Sequence, residues 1–354
     1  MWVGNFNEIE LEELNMKVIE PSYEIVNDAE YPNVLKKIER IARICYKSED
    51  KITPTSYQEM ITGLLERKHL AMFEHGNLAY VIDDRLYEEL IDASTYMTTL
   101  VNWRSNVTVF NVNRLHLTQY ENKDYSTRCV VSGNVRVWYE FFTKVLEFSC
   151  ITEGLCKLYA QVNFNVENIF ELHAYDNYTD YHEYTIQRLV DFNQVSLQER
   201  FVHQTFTVIF TCDTGVTHEL VRMRDASFAQ ESTRYCNYQN DRFGNEITCI
   251  KPLFFKEGSY EYAQWYSAMS NAEMSYFNLL NAGATSQQAR TVLPKSIKAD
   301  IAVTCNWEEW AHIFKLRALD MTGPAHPQMK ELMVPLYEEI KKANPEMISY
   351  YIGG

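Results

Sequence analysis

Apolar residues along the chain form several helical stripes and a few alternating runs. In residues 31–48, YPNVLKKIERIARICYKS, the positions Leu35, Ile38, Ile41, Ala42 and Cys45 recur at helical spacing, and Pro32 suits a helix start. A second helix is expected over about 56–68, with Met60, Ile61, Leu64 and Leu65 inward, followed by a strand over 77–82. The run 200–212 alternates at Phe206, Val208 and Phe210 and predicts a strand, and Asp213, Thr214 and Gly215 make a turn. A helix is expected over 216–224, with Val216, Leu220 and Met223 on one stripe. On such a helix Arg222 and Arg224 would lie about 200° apart. A turn and a short strand are expected over 243–252. A long helix over 259–281 ends at Gly283, and a shorter one begins at Thr285 or Ser286, carries Arg290 and stops before Pro294. Two more are expected over 306–317 and 328–342, the latter with Pro335 inside.

Between about 83 and 199 the character of the chain changes. Its Tyr/Asp/His-rich part, with Tyr175, Tyr178, Tyr181, His182 and Tyr184, reads as a solvated acidic loop. No internal repeat and no Gly/Ser linker is visible. The expectation is therefore one domain over 1–354, with a core of about 30–82 and 200–345 and an insertion of about 83–199 packed on it. Strands and helices do not alternate regularly, so the fold class is α+β: a mixed or antiparallel sheet flanked by long helices.

Composition narrows the function. The net charge is 33 − 48 = −15, which argues against a nucleic-acid partner, since that needs a basic face. No apolar run has the length to cross a membrane, and the acidic N-terminus lacks the form of a signal peptide, so a cytoplasmic location is expected. The eight cysteines include no CxxC pair and no zinc spacing, so no metal is expected and they read as reduced thiols.

Against that acidic background one stretch stands out: 222–238, RMRDASFAQESTRYCNY. Guanidinium groups match phosphate and carboxylate oxygens with paired donors and keep their charge. Arg222, Arg224 and Arg234 together point to a local anion site. There is no glycine-rich phosphate loop of the P-loop or GxGxxG type, so a nucleotide would be held by side chains. His69, Glu74 and His75 crowd the end of the second predicted helix without the spacing of a helical zinc site.

These residues resemble a known family. Arg222-Met223-Arg224, seven residues and Ser232, with Ser227, Gln230, Glu231, Thr233, Arg234 and Tyr235, are similar to the Arg-His-Arg signature of the flavin-dependent thymidylate synthases. Four further blocks agree in order: HLAMFEH at 69–75, QARTVLP at 288–294, TCNWEEWAHIFKLR at 304–317 and AHPQM at 325–329. The segment STRCVVSGNVRVWYEFF resembles one found in longer members. The resemblance implies the fold of that family with an inserted segment. It also implies reductive methylation of dUMP to dTMP, with methylenetetrahydrofolate as carbon donor and NADPH-reduced FAD as hydride source. The enzyme would be a homotetramer with active sites between subunits.

By position, the resemblance places Glu219, Leu220, Arg222, Gln230, Glu231, Ser232, Thr233, Arg234, Arg290 and Arg317 on dUMP. It places Ala71, Arg222, Met223, Arg224, Gln230, Asn306 and His312 on FAD. Arg317, Ser232 and His69 carry the catalytic roles: Arg317 stabilises the ionised uracil ring, Ser232 bonds the ligand phosphate, and His69 borders flavin and folate. Met223 stands where the signature has histidine, Glu308 where many members have arginine, and Ala71 where a hydroxyl is common. Two other outcomes share the pocket: a flavin- and folate-dependent hydroxymethylation of dUMP, and a non-catalytic nucleotide- or flavin-binding homologue.

Overall fold

The computed structural model describes residues 16–103, 115–121, 127–175, 182–239 and 244–353. Tyr178 and Tyr181 of the expected loop lie outside the described residues. The chain begins with strands β1 (Lys17–Ile19) and β2 (Ser22–Val26), then helices α1 (Val34–Tyr46) and α2 (Ser56–Glu66), a 3-10 turn Leu70–His75, and strand β3 (Asn77–Ile82). Next come α3 (Asp84–Trp103), β4 (His116–Glu121), β5 (Thr127–Asn134), α4 (Val135–Glu147), α5 (Glu153–Asn165), β6 (Ile186–Arg188) and α6 (Leu197–His203). The remainder is β7 (Thr205–Asp213), α7 (Thr214–Leu220), β8 (Ser227–Gln230), β9 (Thr248–Ile250), α8 (Tyr260–Asn281), α9 (Ser286–Ala289), β10 (Lys298–Asn306), α10 (Trp307–Arg317), α11 (Pro327–Ala343) and α12 (Pro345–Tyr351).

Two four-stranded antiparallel sheets organise these elements, in the orders β2-β7-β10-β8 and β4-β5-β3-β6. β1 and β9 form a small parallel pair. The fold is thus α+β with antiparallel sheets. The stretch from 83 onward is folded, and strand β3 pairs with its strands β5 and β6. Trp138, Phe141, Phe142 and Val145 of α4 are all fully buried and follow helical spacing on one apolar face, a stripe that the sequence reading did not take up. Tyr175 is no solvated loop residue. It stacks on Tyr159 at 4.4 Å and donates its hydroxyl to the Phe142 carbonyl at 2.8 Å.

Helix α1 joins the two sheets. Asn33 caps its start by accepting from the Leu35 amide at 2.9 Å, and Lys47 ends it at φ 50°, in the left-handed region. Val34, Leu35 and Ile38 pack into the core beneath β3 and β5. Ile41 and Ile44 pack with Ile209 of β7, Ala229 of β8 and Ala302 of β10. The other face of the β7–β10 sheet carries Val208, Phe210, Ile301 and Val303 against Trp310, Phe314, Met329 and Leu336 of α10 and α11. α11 runs through Pro335, with Pro327 at its first position.

One expected boundary moves. The helix at 216–224 is α7 and stops at Leu220, because the chain must turn to enter β8 at Ser227. Arg222 and Arg224 therefore sit on a turn, and the helical angle between them does not apply.

Candidate active site

The signature lies on β8 and the turn after it. β8 pairs with β10 from Ile301↔Gln230 to Thr304↔Ser227, which fixes the strand end. The turn is then anchored from behind. The Ser232 amide donates to the Cys45 carbonyl at 3.1 Å, and the Glu231 amide donates to the Asp300 carbonyl at 2.8 Å. Ser232 in turn accepts at its carbonyl from the amides of Tyr235 and Cys236.

Buried charges lock this turn. The carboxylate of Glu231 accepts from Lys298 Nζ at 2.8 Å and lies 3.7 Å from Lys47 Nζ. Lys298 also donates to Asp300 at 2.5 Å, Lys47 contacts the same carboxylate, and Thr211 Oγ1 donates to it at 2.7 Å. The Tyr238 hydroxyl donates to Glu231 at 3.4 Å. Two lysines and two carboxylates give a neutral cluster, the form in which buried charge is tolerated. Burial alone would raise the Asp300 carboxyl, but Lys298 and Lys47 outweigh it and hold it below its ordinary range.

A cavity of 550 Å³ opens in front of this turn. It gathers Gln230, Glu231, Ser232, Thr233 and Arg290 from the sequence-predicted set. It adds Thr214, His218, Tyr238 and Lys298, which were missed. One signal for Lys298 was present: charged residues at 298 and 300 open an otherwise apolar strand, KADIAVTCN. His218 Nδ1 is 2.8 Å from Lys295 Nζ, so that nitrogen serves as an acceptor.

Other predicted residues lie elsewhere. Glu219 faces a separate 330 Å³ groove on the far side of α7, and Arg317 Nη1 lies 3.7 Å from it. The Arg317 Nε is buried without a hydrogen-bond partner. Arg222 and Arg224 are exposed. Arg234 is exposed too, donating to Gln287 at 3.1 Å over the Tyr235 ring. Leu220 and Met223 are buried in the cluster with Val216, Phe210 and Phe314, and their side chains fill the sheet–helix interface. His69 and Ala71 are exposed at the 3-10 turn, and His312 is exposed on α10.

A second cavity of 410 Å³ lies at the opposite end of β10. Asn306 lines it and caps α10, accepting from the Glu309 amide at 3.1 Å and donating to the Val202 carbonyl at 2.9 Å. Ser227 lines it as well and donates to Glu74 at 2.8 Å, while Arg136 of α4 donates to the other oxygen of Glu74 at 2.7 Å. The HLAMFEH block is therefore a brace between β8 and α4. Its His75 is fully buried, 2.7 Å from Thr304 Oγ1, and burial pulls its pKa down to about 4, with Lys37 adding to the shift. Glu309 is buried with Oε1 unpartnered, and burial, then Asp225, then Glu308, push its carboxyl up to about 7.

Among the described residues no helix is long and apolar enough to cross a membrane, and no group of three or more His, Cys, Asp or Glu is placed to hold a metal ion. All eight cysteines are free thiols.

Residues 152–346 match the family model described as thymidylate synthase complementing protein. That span includes β7, β8 and β10 of the first sheet, the signature turn, and Lys298 and Asp300 on β10. The chain belongs to this family. Among curated proteins it is 32% identical over 158 residues to the flavin-dependent thymidylate synthase of Pyrococcus abyssi and to that of Pyrococcus furiosus, covering 44% of this chain and 62% of each relative. The chain thus spans less than two thirds of the length of these relatives. Among solved structures, a UMP/dUMP methylase from Streptomyces cacaoi bound with 5-Br dUMP aligns at 23% identity and a TM-score of 0.34, over 45% of this chain and 79% of that one.

Proposed function

We propose that the protein is a flavin-dependent thymidylate synthase that methylates dUMP reductively, with methylenetetrahydrofolate as carbon donor and NADPH as the source of electrons. The observation that carries this reading is the 550 Å³ cavity, in which Gln230, Ser232, Thr233 and Arg290 converge beside a half-buried Lys298. Its size suits a mononucleotide. Ser232, Thr233 and Arg290 offer hydroxyl and guanidinium donors to a phosphate, and Arg234 stands at the rim. The family relation and the printed function of the curated relatives support the same substrate class.

The chain's residues also fit a flavin. The unpartnered Glu309 Oε1 and the Asn306 side chain at the second cavity provide polar contacts for a ring edge, and the exposed Arg222 and Arg224 provide cations for its phosphates. Gln230, Ala71 and His312 complete the assigned contacts, with His69 at the border. Bound FAD would supply the hydride, which no side chain here can donate. The protein's own part is positional and electrostatic. Arg317, which lies 3.7 Å from Glu219 and outside this cavity, would offer its fixed positive charge to the uracil oxygen of a nucleotide held by a neighbouring copy. No cysteine serves as a nucleophile. Cys45, the thiol behind the signature turn, is pushed up to about 11 by burial and stays protonated. Assembly into a homotetramer, with sites completed by neighbouring copies, and a cytoplasmic location belong to the same proposal.

The test is to purify the protein, record its flavin spectrum, supply dUMP, methylenetetrahydrofolate and NADPH, and weigh the nucleotide product. A gain of one methyl group is expected. A hydroxymethyl gain, or flavin binding with no product, overturns the reading.

A further inference from the structure

Two corners of the molecule are built alike. In each, a strand ends in an asparagine that caps the helix starting at the next residue: Asn306 between β10 and α10, and Asn134 between β5 and α4. Counted from those asparagines, Trp310 corresponds to Trp138 and Phe314 to Phe142. All four rings are fully buried, and each pair is stacked, at 5.7 Å and 28° in one corner and 5.8 Å and 18° in the other. Trp310 Nε1 donates to the Phe206 carbonyl at 3.2 Å, and Trp138 Nε1 donates to the Leu78 carbonyl at 3.4 Å. The Trp307 amide donates to the Gln204 carbonyl, and the Val135 amide to the Gly76 carbonyl. In register, Thr205 of β7 faces Asn306 as Asn77 of β3 faces Asn134.

Two residues before Thr205 and Asn77 stand the buried histidines His203 and His75, and each crosses to the other corner. His75 Nδ1 lies 2.7 Å from Thr304 Oγ1, and His203 Nδ1 lies 2.8 Å from Ser132 Oγ. Thr304 and Ser132 each stand two residues before their capping asparagine. Contacts exchanged in both directions between equivalent atoms mark a two-fold relation. Three equivalent pairs, Asn77/Thr205, Ser132/Thr304 and Asn134/Asn306, line the 410 Å³ cavity, which therefore straddles that axis.

The corners diverge where charge matters. Glu219-Leu220 corresponds to Glu89-Leu90, which sets Asp92 opposite Arg222 and Ser94 opposite Arg224. Eleven residues past the asparagines, Val145 stands opposite Arg317. The first corner retains the scaffold and has none of these three arginines.

We propose that β3, α3, β5 and α4 are a silent second copy of the unit formed by β7, α7, β10 and α10. We further propose that the cavity between them is a single flavin-ring site walled by both, with Asn77 and His116 as the first copy's contribution. This rests on the flavin reading above. Asn306 and Glu309 come from the second copy, and amide and carboxyl groups suit the N–H and C=O edge of a neutral ring. Asp225 and Glu308 line the same cavity and repel a pyrophosphate, which belongs outside near Arg222 and Arg224.

The experiment is titration of the full chain with riboflavin, followed by flavin fluorescence, alongside dUMP binding by calorimetry. One riboflavin per chain is expected. Asn77→Leu and His116→Ala should each weaken riboflavin about tenfold, the scale of one good hydrogen bond, and leave dUMP affinity unchanged. Two riboflavins per chain, or full affinity in whichever variants retain the wild-type melting temperature, overturns the inference. A chain that forms dTMP while both variants bind normally refutes this inference alone. A chain whose variants lose riboflavin but which makes no dTMP refutes the proposed function alone.

Discussion

The two corners share their buried parts and differ in the parts exposed to ligands. Trp138 and Trp310 make the same hydrogen bond to a neighbouring strand, and Asn134 and Asn306 cap the same kind of helix. Yet the first corner has Asp92, Ser94 and Val145 where the second has Arg222, Arg224 and Arg317. On the proposed relation, the same packing is compatible with different charge at equivalent positions. Packing and site chemistry rest on different residues, and mutations should separate them.

The largest separation is expected at Arg317. Arg317→Ala should lower turnover by about 10²–10³-fold, the scale of losing a fixed charge at a developing oxyanion. Val145→Ala, at the equivalent place, should leave kcat within about twofold and instead lower stability by ~1–2 kcal/mol through lost core packing, read by urea unfolding. Normal activity in Arg317→Ala would remove Arg317 from the site.

Next is the buried charge cluster, which only the second corner possesses. Asp300→Ala leaves Lys47 and Lys298 with one carboxylate between them and should cost ~3–5 kcal/mol, measured by thermal unfolding. Because Asp300 is held below its ordinary range, its contribution is full above the unfolded carboxyl pKa and fades as pH falls through the folded one.

The two histidines test the likeness of the corners directly. Burial, with a smaller push from Lys37, lowers His75 to about 4, and burial, with a smaller push from His116, lowers His203 to about 3. Both are neutral in the fold and take up protons on unfolding near pH 6.5. Their contribution is therefore full above about 6.5, and falls by ~1.4 kcal/mol per pH unit for each histidine as pH drops toward 4. His75→Asn and His203→Asn should flatten that slope equally when unfolding is followed between pH 7 and 4. Unequal slopes would break the equivalence.

The caps give the smallest effect. Asn134→Ala and Asn306→Ala should each cost ~1 kcal/mol in denaturant titration. Asn306→Ala should cost more, because Asn306 also donates to the Val202 carbonyl.

Much of the second corner was legible in the chain. Periodicity marked α1, α8, α10 and α11, alternation marked β7, and the arginine pattern led to the turn at 230–234. Of the first corner only β3 was legible, as the strand expected over 77–82; the likeness of the rest lies in register and buried aromatics at positions such as Trp138 and Phe142. The charge cluster was also out of reach. Lys47 and Asp300 are 253 residues apart, and only the packing of α1 across β10 brings them together. Met223 was placed on FAD by its position in the signature and on an apolar stripe by its spacing, and its side chain is buried in the sheet–helix interface.

Strand β10 also measures a distance. Lys298, Asp300, Thr304 and Asn306 share one face of the strand, with the buried Ala302 between the two polar ends. The proposed nucleotide cavity is lined by Ala299 and the second cavity by Thr304, five steps apart on β10, or roughly 16 Å at ~3.3 Å per residue. Hydride moves only between atoms in near contact, about 3–3.5 Å apart. A ring seated at one end and a pyrimidine seated at the other do not meet along a single strand. On the proposed reading, a neighbouring copy would have to bring the two rings together, in keeping with the proposed homotetramer.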